Sequence, residues 1–300
     1  MLRAAALRDA LVARIDDTGF GAHGLHVRAG DDVATHRWAP DVREEIHSVA
    51  KAVAVLAAGI AADEGRVSLD APVSDLQPTA TDVTLRHLLT MTSGIDFPYS
   101  ETMMTDWPDL AAEFLARPSR GRVFQYSNAS TYTAMHALSQ RVGDVEDYLR
   151  PRLLAPLGLA DVSWRRCPNG RVLGGEGIAL RTDEMARFGL LIRDRGVFEG
   201  ERLVSAGIVD AMHSGWVDTG GTADGYSRYA LAGWDGPGGV WRLHGAHGQL
   251  LVFFGDAVVT ISAHDHGGAD AVTAFIADRA NAAPQAHRFR QRSGPAGSAG

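Results

Sequence analysis

The sequence predicts an α+β fold, an α/β sandwich with an antiparallel sheet into which an all-helical subdomain is inserted. Two observations predict it. Strand-like stretches lie near both ends of the chain, in residues 24–38 and 240–262. Between them, in residues 66–165, seven prolines separate short apolar pieces, which is typical of helices joined by long connections. Strands from the two ends would pair in one sheet, so the domain that holds the sheet is predicted to be discontinuous in sequence.

The same observations divide the chain into parts. Residues 1–65 and 166–283 are predicted to form the α/β subdomain with the antiparallel sheet, and residues 66–165 the helical subdomain. The last part, residues 284–300, has few apolar side chains and ends in a run of glycine, serine, proline and alanine. Such a segment cannot bury enough apolar surface to fold, so we predict a disordered tail.

The predicted elements follow in chain order. Residues 1–17 mix charged and apolar side chains, which predicts an amphipathic helix. Residues 24–30 and 33–38 predict a hairpin, because the glycine and two aspartates at residues 30–32 are typical of a hairpin turn. A later helix is predicted to begin with Thr182 as its N-cap. The chain is then predicted to close with three strands and a helix, at residues 240–243, 249–254, 257–262 and 270–283, with a tight turn at residues 255–256.

Composition excludes several classes of function. The chain has 300 residues, is 45% hydrophobic and carries a net charge of −7, which argues against nucleic acid or an anionic membrane as a partner. Cys167 is the only cysteine, so it forms no internal disulfide. The charged residues of the first segment favour a helix over a signal peptide, and no run of 18 apolar residues occurs. We therefore expect a soluble, cytoplasmic protein.

Ser48 and Lys51 stand one helical turn apart at the start of an apolar segment. Residues 48–61 are apolar on nearly every side, which predicts a helix in the interior that ends near Gly65. Lys51 is the only lysine, beside 28 arginines. Because a desolvated lysine can lose its proton and an arginine cannot, this position favours a base. The pair predicts a serine nucleophile with a lysine base, and a chance spacing is the alternative.

Two further short motifs carry polar groups. Tyr126 and Asn128 precede a helix predicted from residue 130 onward and could place a phenol and a carboxamide in a cleft between the subdomains. The alternative is a packing tyrosine followed by a helix N-cap. The stretch from His244 to Gln249 holds two glycines between predicted strands. It either lets a ligand or another backbone approach closely or forms a bulge or tight turn at a sheet edge.

Taken together, Ser48-x-x-Lys51, Tyr126-x-Asn128 and the glycine-containing stretch near the C-terminus resemble the serine β-lactamases and penicillin-recognising enzymes, in the same order. The tyrosine of the second motif resembles the class C branch, which includes family VIII esterases and 6-aminohexanoate-oligomer hydrolases. Residues 84–94, 156–164 and 182–189 are also similar to that branch. The resemblance spans roughly residues 24 to 280 and implies a β-lactamase/transpeptidase-like fold.

The sequence departs from the family at its third motif. True β-lactamases have Lys-Thr-Gly there, and aligning its glycine with Gly245 places Leu243 and His244 at the other two positions. In the family, the Lys-Thr pair helps to hold the carboxylate of the substrate. The resemblance therefore implies an ester or amide substrate rather than efficient β-lactam hydrolysis. Arg242 would point to the opposite face of the strand from Leu243, which makes it a poor substitute.

The resemblance also implies roles for individual residues. Ser48 would attack the carbonyl, Lys51 would accept its proton, and Tyr126 would relay a proton to the leaving group. Asn128 would orient Lys51 or the acyl amide. The backbone N–H groups of Ser48 and Ala246 would form the oxyanion hole.

The substrate is expected to be a small acyl compound, and no cofactor is expected. Three residues of the third motif and three aromatic residues are candidates to contact it: His244, Gly245, His247, Trp107, Tyr226 and Trp234. An acyltransferase that passes the acyl group to a small amine or alcohol is the main alternative, and a non-catalytic binding protein a weaker one. A metal site at His264 and His266, or at His244 and His247, is disfavoured because the usual spacing of metal ligands is absent.

Overall fold

The structure, a computed structural model, describes residues 3–76, 82–97, 109–221 and 225–282 of the chain. Its helices are α1 (Ala4–Thr18), α2 (Ala50–Asp63), α3 (Leu85–Leu89), α4 (Leu110–Ala116), α5 (Asn128–Val142), α6 (Val145–Leu149), α7 (Thr182–Arg193), α8 (Ala206–Ala211) and α9 (Ala269–Ala282). Its strands are β1 (Ala22–Ala29), β2 (Asp32–Arg37), β3 (Glu44–Glu45), β4 (Ala179–Leu180), β5 (Val197–Phe198), β6 (Glu201–Arg202), β7 (Val217–Asp218), β8 (Arg228–Tyr229), β9 (Trp234–Asp235), β10 (Trp241–Gly245), β11 (Gln249–Phe254) and β12 (Ala257–Ala263).

One antiparallel sheet joins the two ends of the chain. In the described residues it has eight strands, in the order β2-β1-β12-β11-β10-β9-β8-β7. The pairing of β1 with β12 sets Leu25 opposite Ile261. It places the first strand of the chain beside the last strand of the chain. The expected α+β fold is therefore confirmed. Between residues 66 and 165 the described chain forms helices and no strand of the sheet, while the exact domain boundaries stay a prediction.

The sheet separates two hydrophobic cores because its side chains alternate between its faces. Leu250 and Val252 pack with α1 and α9 on one face. Leu251 and Phe253 pack with α2, α5 and α7 on the other. Helix α2 lies inside this second core except at its C-terminal end, since every residue from Ala50 to Ala61 is buried. The prediction that an apolar helix occupies the interior is confirmed.

Three details differ from the sequence predictions. Thr182 is the first residue of α7 rather than its N-cap, and its hydroxyl lies 2.7 Å from Ser262 Oγ. Helix α5 begins at Asn128, before residue 130. The strands β7, β8 and β9 extend the sheet beyond β10 and were not predicted, because two-residue strands carry no periodic pattern.

Parts of the chain fall outside the described residues. They include Trp107 and residues 284–300, so neither the predicted tail nor that candidate substrate contact can be placed. In the part that is described, none of the helices combines the length and the apolar character that a membrane span needs.

Two contacts position the start of α2. A 3₁₀ turn (His47–Val49) precedes the helix, and the strand β3 before it pairs with β4. The Ile46 N–H donates to the carbonyl of Ile178 at 2.9 Å, which continues this pairing up to the turn. On its other side the turn packs against the end of β10. Ser48 is therefore held between the 176–180 segment and the sheet.

Candidate active site

The 3₁₀ turn presents Ser48 in a constrained backbone. His47, the residue before it, has a φ of 48°, a left-handed conformation that is uncommon for a residue with a side chain. Such backbone strain is found preferentially at functional sites. The His47 ring lies 4.8 Å from the ring of His247, which has a φ of 63°. Burial lowers the pKa of His47, so its ring favours the neutral form. Ser48 itself is half-buried.

The side chain of Lys51 is more buried than any other basic or acidic side chain at this site. It is 2% exposed, and its Nζ donates to Ser48 Oγ at 2.9 Å, to the backbone oxygen of Gly175 at 3.0 Å and to Asn128 Oδ1. Burial lowers the pKa of Lys51 to about 7, although the carboxylate of Glu176 opposes this shift. A substantial fraction of Lys51 is therefore neutral near pH 7, and its nitrogen lies within reach of the Ser48 hydroxyl.

Tyr126 and Asn128 complete this group. Asn128 is the first residue of α5 and is 8% exposed, so its carboxamide meets Lys51 from the helix start. The Tyr126 ring centroid lies 4.9 Å from Lys51 Nζ. Burial raises the pKa of Tyr126 to about 12, and a hydrogen bond with Ser48 lowers it by less. Tyr126 is therefore a neutral phenol at physiological pH.

The segment from Gly174 to Gly177 belongs to the site and was not predicted. Its Gly175 carbonyl accepts from Lys51, and Glu176 Oε2 accepts from Asn128 Nδ2 at 3.1 Å. A Cβ on Gly175 would lie 2.9 Å from Asn128 Oδ1 and 3.1 Å from Lys51 Nζ, so a side chain there would push these two groups out of their present positions. The signal in the sequence was a carboxylate within a run of glycines, Gly-Gly-Glu-Gly.

The end of β10 approaches the serine turn from the other side. A Cβ on Gly245 would lie 2.3 Å from the backbone oxygen of Ile46. The peptide that follows Gly245 carries the N–H of Ala246, and Ala246 is an exposed residue. The close approach brings that peptide next to the turn that holds Ser48. The two segments that carry the N–H groups of Ser48 and Ala246 are therefore neighbours, and the role of these groups as oxyanion-hole donors stays a prediction.

Several predicted substrate contacts gather beside Tyr126. The Trp234 ring lies 5.6 Å from the Tyr126 ring and 5.1 Å from the Tyr226 ring. The Tyr226 hydroxyl lies 2.5 Å from His244 Nδ1. His244 is 6% exposed, and burial lowers its pKa to about 3, so it remains neutral. The result is a wall of aromatic rings, and the Arg242 guanidinium lies 4.5 Å from the centroid of the Tyr226 ring.

Arg242 lies on the other face of β10, as predicted. It is 1% exposed and forms an ion pair of 2.7 Å with Asp270 of α9. Its guanidinium also donates to Thr273. Leu243, in contrast, belongs to the core that contains α2. Because this arginine is buried beneath the Tyr226 ring and already paired with Asp270, it is a poor partner for a substrate carboxylate at Ser48.

The histidines considered as metal ligands have other neighbours. The His244 ring stacks on the ring of His266 at 5.0 Å, and His23 Nε2 lies 2.6 Å from His264 Nδ1. Over the described residues, no group of three or more His, Cys, Asp or Glu side chains is placed to hold a metal ion.

Comparison with known proteins bears on the fold of the chain. A family model described as Beta-lactamase matches residues 9–286, whereas no curated protein matches the chain. A protein from Bacteroides dorei DSM 17855, provisionally assigned as a beta-lactamase, has a TM-score of 0.74 at 18% identity, covering 91% of this chain and 98% of its own.

Two other solved structures have the same fold. A protein from Bacillus anthracis, provisionally assigned as a 6-aminohexanoate-dimer hydrolase, has a TM-score of 0.72 at 18% identity, covering 92% of this chain and 83% of its own. A D-stereospecific amidohydrolase from Streptomyces sp. has a TM-score of 0.64 at 20% identity, covering 88% of this chain and 95% of its own. At these identities the likeness shows the fold alone.

Proposed function

Because this chain belongs to the beta-lactamase family, we propose that it is a serine hydrolase that cleaves an ester or amide through an acyl intermediate on Ser48. One observation carries the proposal. The only lysine of the chain is buried with its Nζ 2.9 Å from Ser48 Oγ, and its pKa is lowered to about 7. A lysine in that state can accept the proton of the serine hydroxyl.

The proposed reaction has two halves. Ser48 Oγ attacks the carbonyl carbon while Lys51 Nζ takes its proton, and the N–H groups of Ser48 and Ala246 stabilise the oxyanion. Tyr126, a neutral phenol beside Lys51, gives its proton to the leaving group as the bond to the carbonyl breaks and recovers a proton from Lys51, which becomes neutral again. Water then attacks the acyl group while Lys51 takes one of its protons, and this proton passes to Ser48 Oγ as the acid is released.

The substrate is proposed to be a simple acyl compound and not an efficiently cleaved β-lactam. Leu243 offers no charge where the family has a lysine, and Arg242 is buried beneath the Tyr226 ring and paired with Asp270. The aromatic wall of Tyr126, Trp234 and Tyr226 instead suits an uncharged group. Two of the similar structures are named as hydrolases, one of them an amidohydrolase, which supports hydrolysis of an ester or amide.

The first prediction concerns covalent labelling. A fluorophosphonate probe should form one adduct, on Ser48, because the hydroxyl next to a neutral lysine is the activated nucleophile. Peptide mass spectrometry locates the adduct. Ser48→Ala should not react, whereas Ser214→Ala, which removes a hydroxyl from an exposed hydrogen bond to Asp210, should react like the wild type. An unlabelled Ser48 would favour a non-catalytic binding protein.

The same assay can separate hydrolysis from acyl transfer. With a p-nitrophenyl ester and an added amine, we expect the free acid to remain the main product, measured by chromatography. An acyl-amine product that exceeds the acid would favour the acyltransferase alternative. No contact among the described residues specifically favours it.

The second prediction concerns pH. The base must be neutral, and Lys51 is protonated below its pKa of about 7, so kcat/KM should fall about tenfold for each pH unit below 7. It should level off above that pH. The measurement is the pH profile of ester hydrolysis under conditions far below saturation. A rate that keeps rising to pH 10 would show that Lys51 retains the pKa of an exposed lysine.

A further inference from the structure

The side chain of Glu176 is connected to Lys51 through a single residue, Asn128. Its Oε2 accepts from Asn128 Nδ2 at 3.1 Å, and Asn128 Oδ1 accepts in turn from Lys51. We infer that Glu176 is a positioning residue that holds the Asn128 carboxamide with its oxygen towards Lys51. The inference rests on the proposed function, because it assigns Glu176 a part in preparing the base.

The Asn128 carboxamide has an oxygen that accepts hydrogen bonds and an NH₂ group that donates them, which explains why an acidic residue suits position 176. An ionised carboxylate only accepts hydrogen bonds, so it selects the NH₂ end of Asn128. The oxygen must then face the opposite way, towards Lys51, which only donates when protonated. Without Glu176, the carboxamide could turn its NH₂ group towards Lys51 and leave the ammonium without this acceptor.

Glu176 is itself fixed from two sides. Arg165 donates to its Oε1 at 3.3 Å, and Trp164 Nε1 donates to its backbone oxygen at 2.7 Å. Its neighbour Gly175 gives its carbonyl directly to Lys51 at 3.0 Å. A single short segment therefore contacts Lys51 by its backbone and Asn128 by a side chain, and a shift of this segment would disturb both contacts.

The charge of Glu176 also acts on Lys51. Burial lowers the pKa of Lys51, and among its charged neighbours the Glu176 carboxylate opposes that shift. The other groups that face Lys51 are Ser48 on its own turn, Asn128 at the start of α5 with Tyr126 just before it, and the His47 ring, whose pKa burial lowers. Arg165 is paired with Glu45 as well as with Glu176. The negative charge of Glu176 thus keeps the pKa of Lys51 higher than burial alone would leave it.

The test uses the fact that Lys51 is the only lysine. Protein labelled with ¹³C-lysine gives one set of side-chain NMR signals, so the pKa of Lys51 can be titrated without assignment and without turnover. In Glu176→Gln the pKa should fall by about 1, because an opposite charge nearby stabilises the protonated form. In Glu64→Gln it should not change, since this carboxylate pairs with Arg152 and Arg66 at the far end of α2.

Activity then separates orientation from charge. Glutamine can still accept from Asn128, so Glu176→Gln should keep kcat within about threefold above pH 8, with the acid limb of its pH profile moved to lower pH by about 1. Glu176→Ala should lose about 10- to 100-fold in kcat, because nothing holds the carboxamide. Glu176→Asp, which keeps the charge, should restore the wild-type acid limb.

An unchanged pKa of Lys51 in Glu176→Gln, or an unchanged kcat in Glu176→Ala, would overturn the inference. Thermal melting identifies a variant that fails to fold, and the aspartate variant then provides the comparison. The NMR titration does not require that Ser48 react with a probe or a substrate. A wild-type enzyme that fails to label at Ser48 would therefore contradict the proposed function, whatever the titration shows.

Discussion

Replacing Lys51 with arginine should lower kcat/KM by about 10³- to 10⁴-fold while the protein keeps its fold. Arginine remains protonated under all conditions in which proteins fold, so it cannot accept the Ser48 proton. The loss is the contribution expected of a general base within a catalytic unit. The measurement is ester hydrolysis at pH 8, where wild-type Lys51, with a pKa of about 7, is mostly neutral.

The control must separate lost chemistry from lost structure. Lys51 is 2% exposed and meets three acceptors, so a larger guanidinium could also disturb the site. Lys51→Met has a similar length without any base, and should be equally inactive. Circular dichroism and thermal melting report whether each variant folds. Activity above about a tenth of the wild type in folded Lys51→Arg would contradict the role of Lys51.

Gly245→Ala should lower kcat by about 100- to 1000-fold with a smaller effect on KM. The added Cβ would lie 2.3 Å from the backbone oxygen of Ile46, and ordinary contacts begin at 3.4 Å. Because the obstacle is backbone and not a flexible side chain, the end of β10 and the Ser48 turn must separate by about 1 Å. That displacement moves the Ala246 N–H away from the oxyanion, which develops only in the transition state.

Gly207→Ala is the matched control for this substitution. Gly207 lies in α8, and apart from its chain neighbours and the backbone of its own helix no atom lies within 4 Å of the position of an added Cβ. Alanine there should leave kcat unchanged and stabilise the helix by up to about 1 kcal/mol. A wild-type kcat in Gly245→Ala, with a normal melting temperature, would mean that Ala246 does not take part in the oxyanion hole.

The sequence predicted elements whose cause is local. The apolar run from Ala50 to Ala61 has no polar face to present to water, and it lies in the core. Residues 30–32 and 255–256 carry turn chemistry, and each joins two paired strands. Ser48 and Lys51 are neighbours on one helical turn, so their contact follows from spacing alone.

Predictions failed where two distant segments compete for one residue. Thr182 has the chemistry of an N-cap, but its hydroxyl bonds to Ser262 of β12 and the helix begins one residue earlier than predicted. The strands β7 to β9 are two residues each and form because the growing sheet offers them an edge. Neither outcome has a signal in the local pattern.

The sequence by itself determined the fold class, the buried helix and the pairing of a serine with the only lysine. Only the tertiary structure decided what surrounds that lysine. Its acceptors on Asn128 and Gly175 are 77 and 124 positions away along the chain, and Glu176 reaches it through the first of them. The physical reason is that helix and turn patterns depend on neighbouring residues. The burial and partners that set the pKa of Lys51 arise only when separate segments pack together.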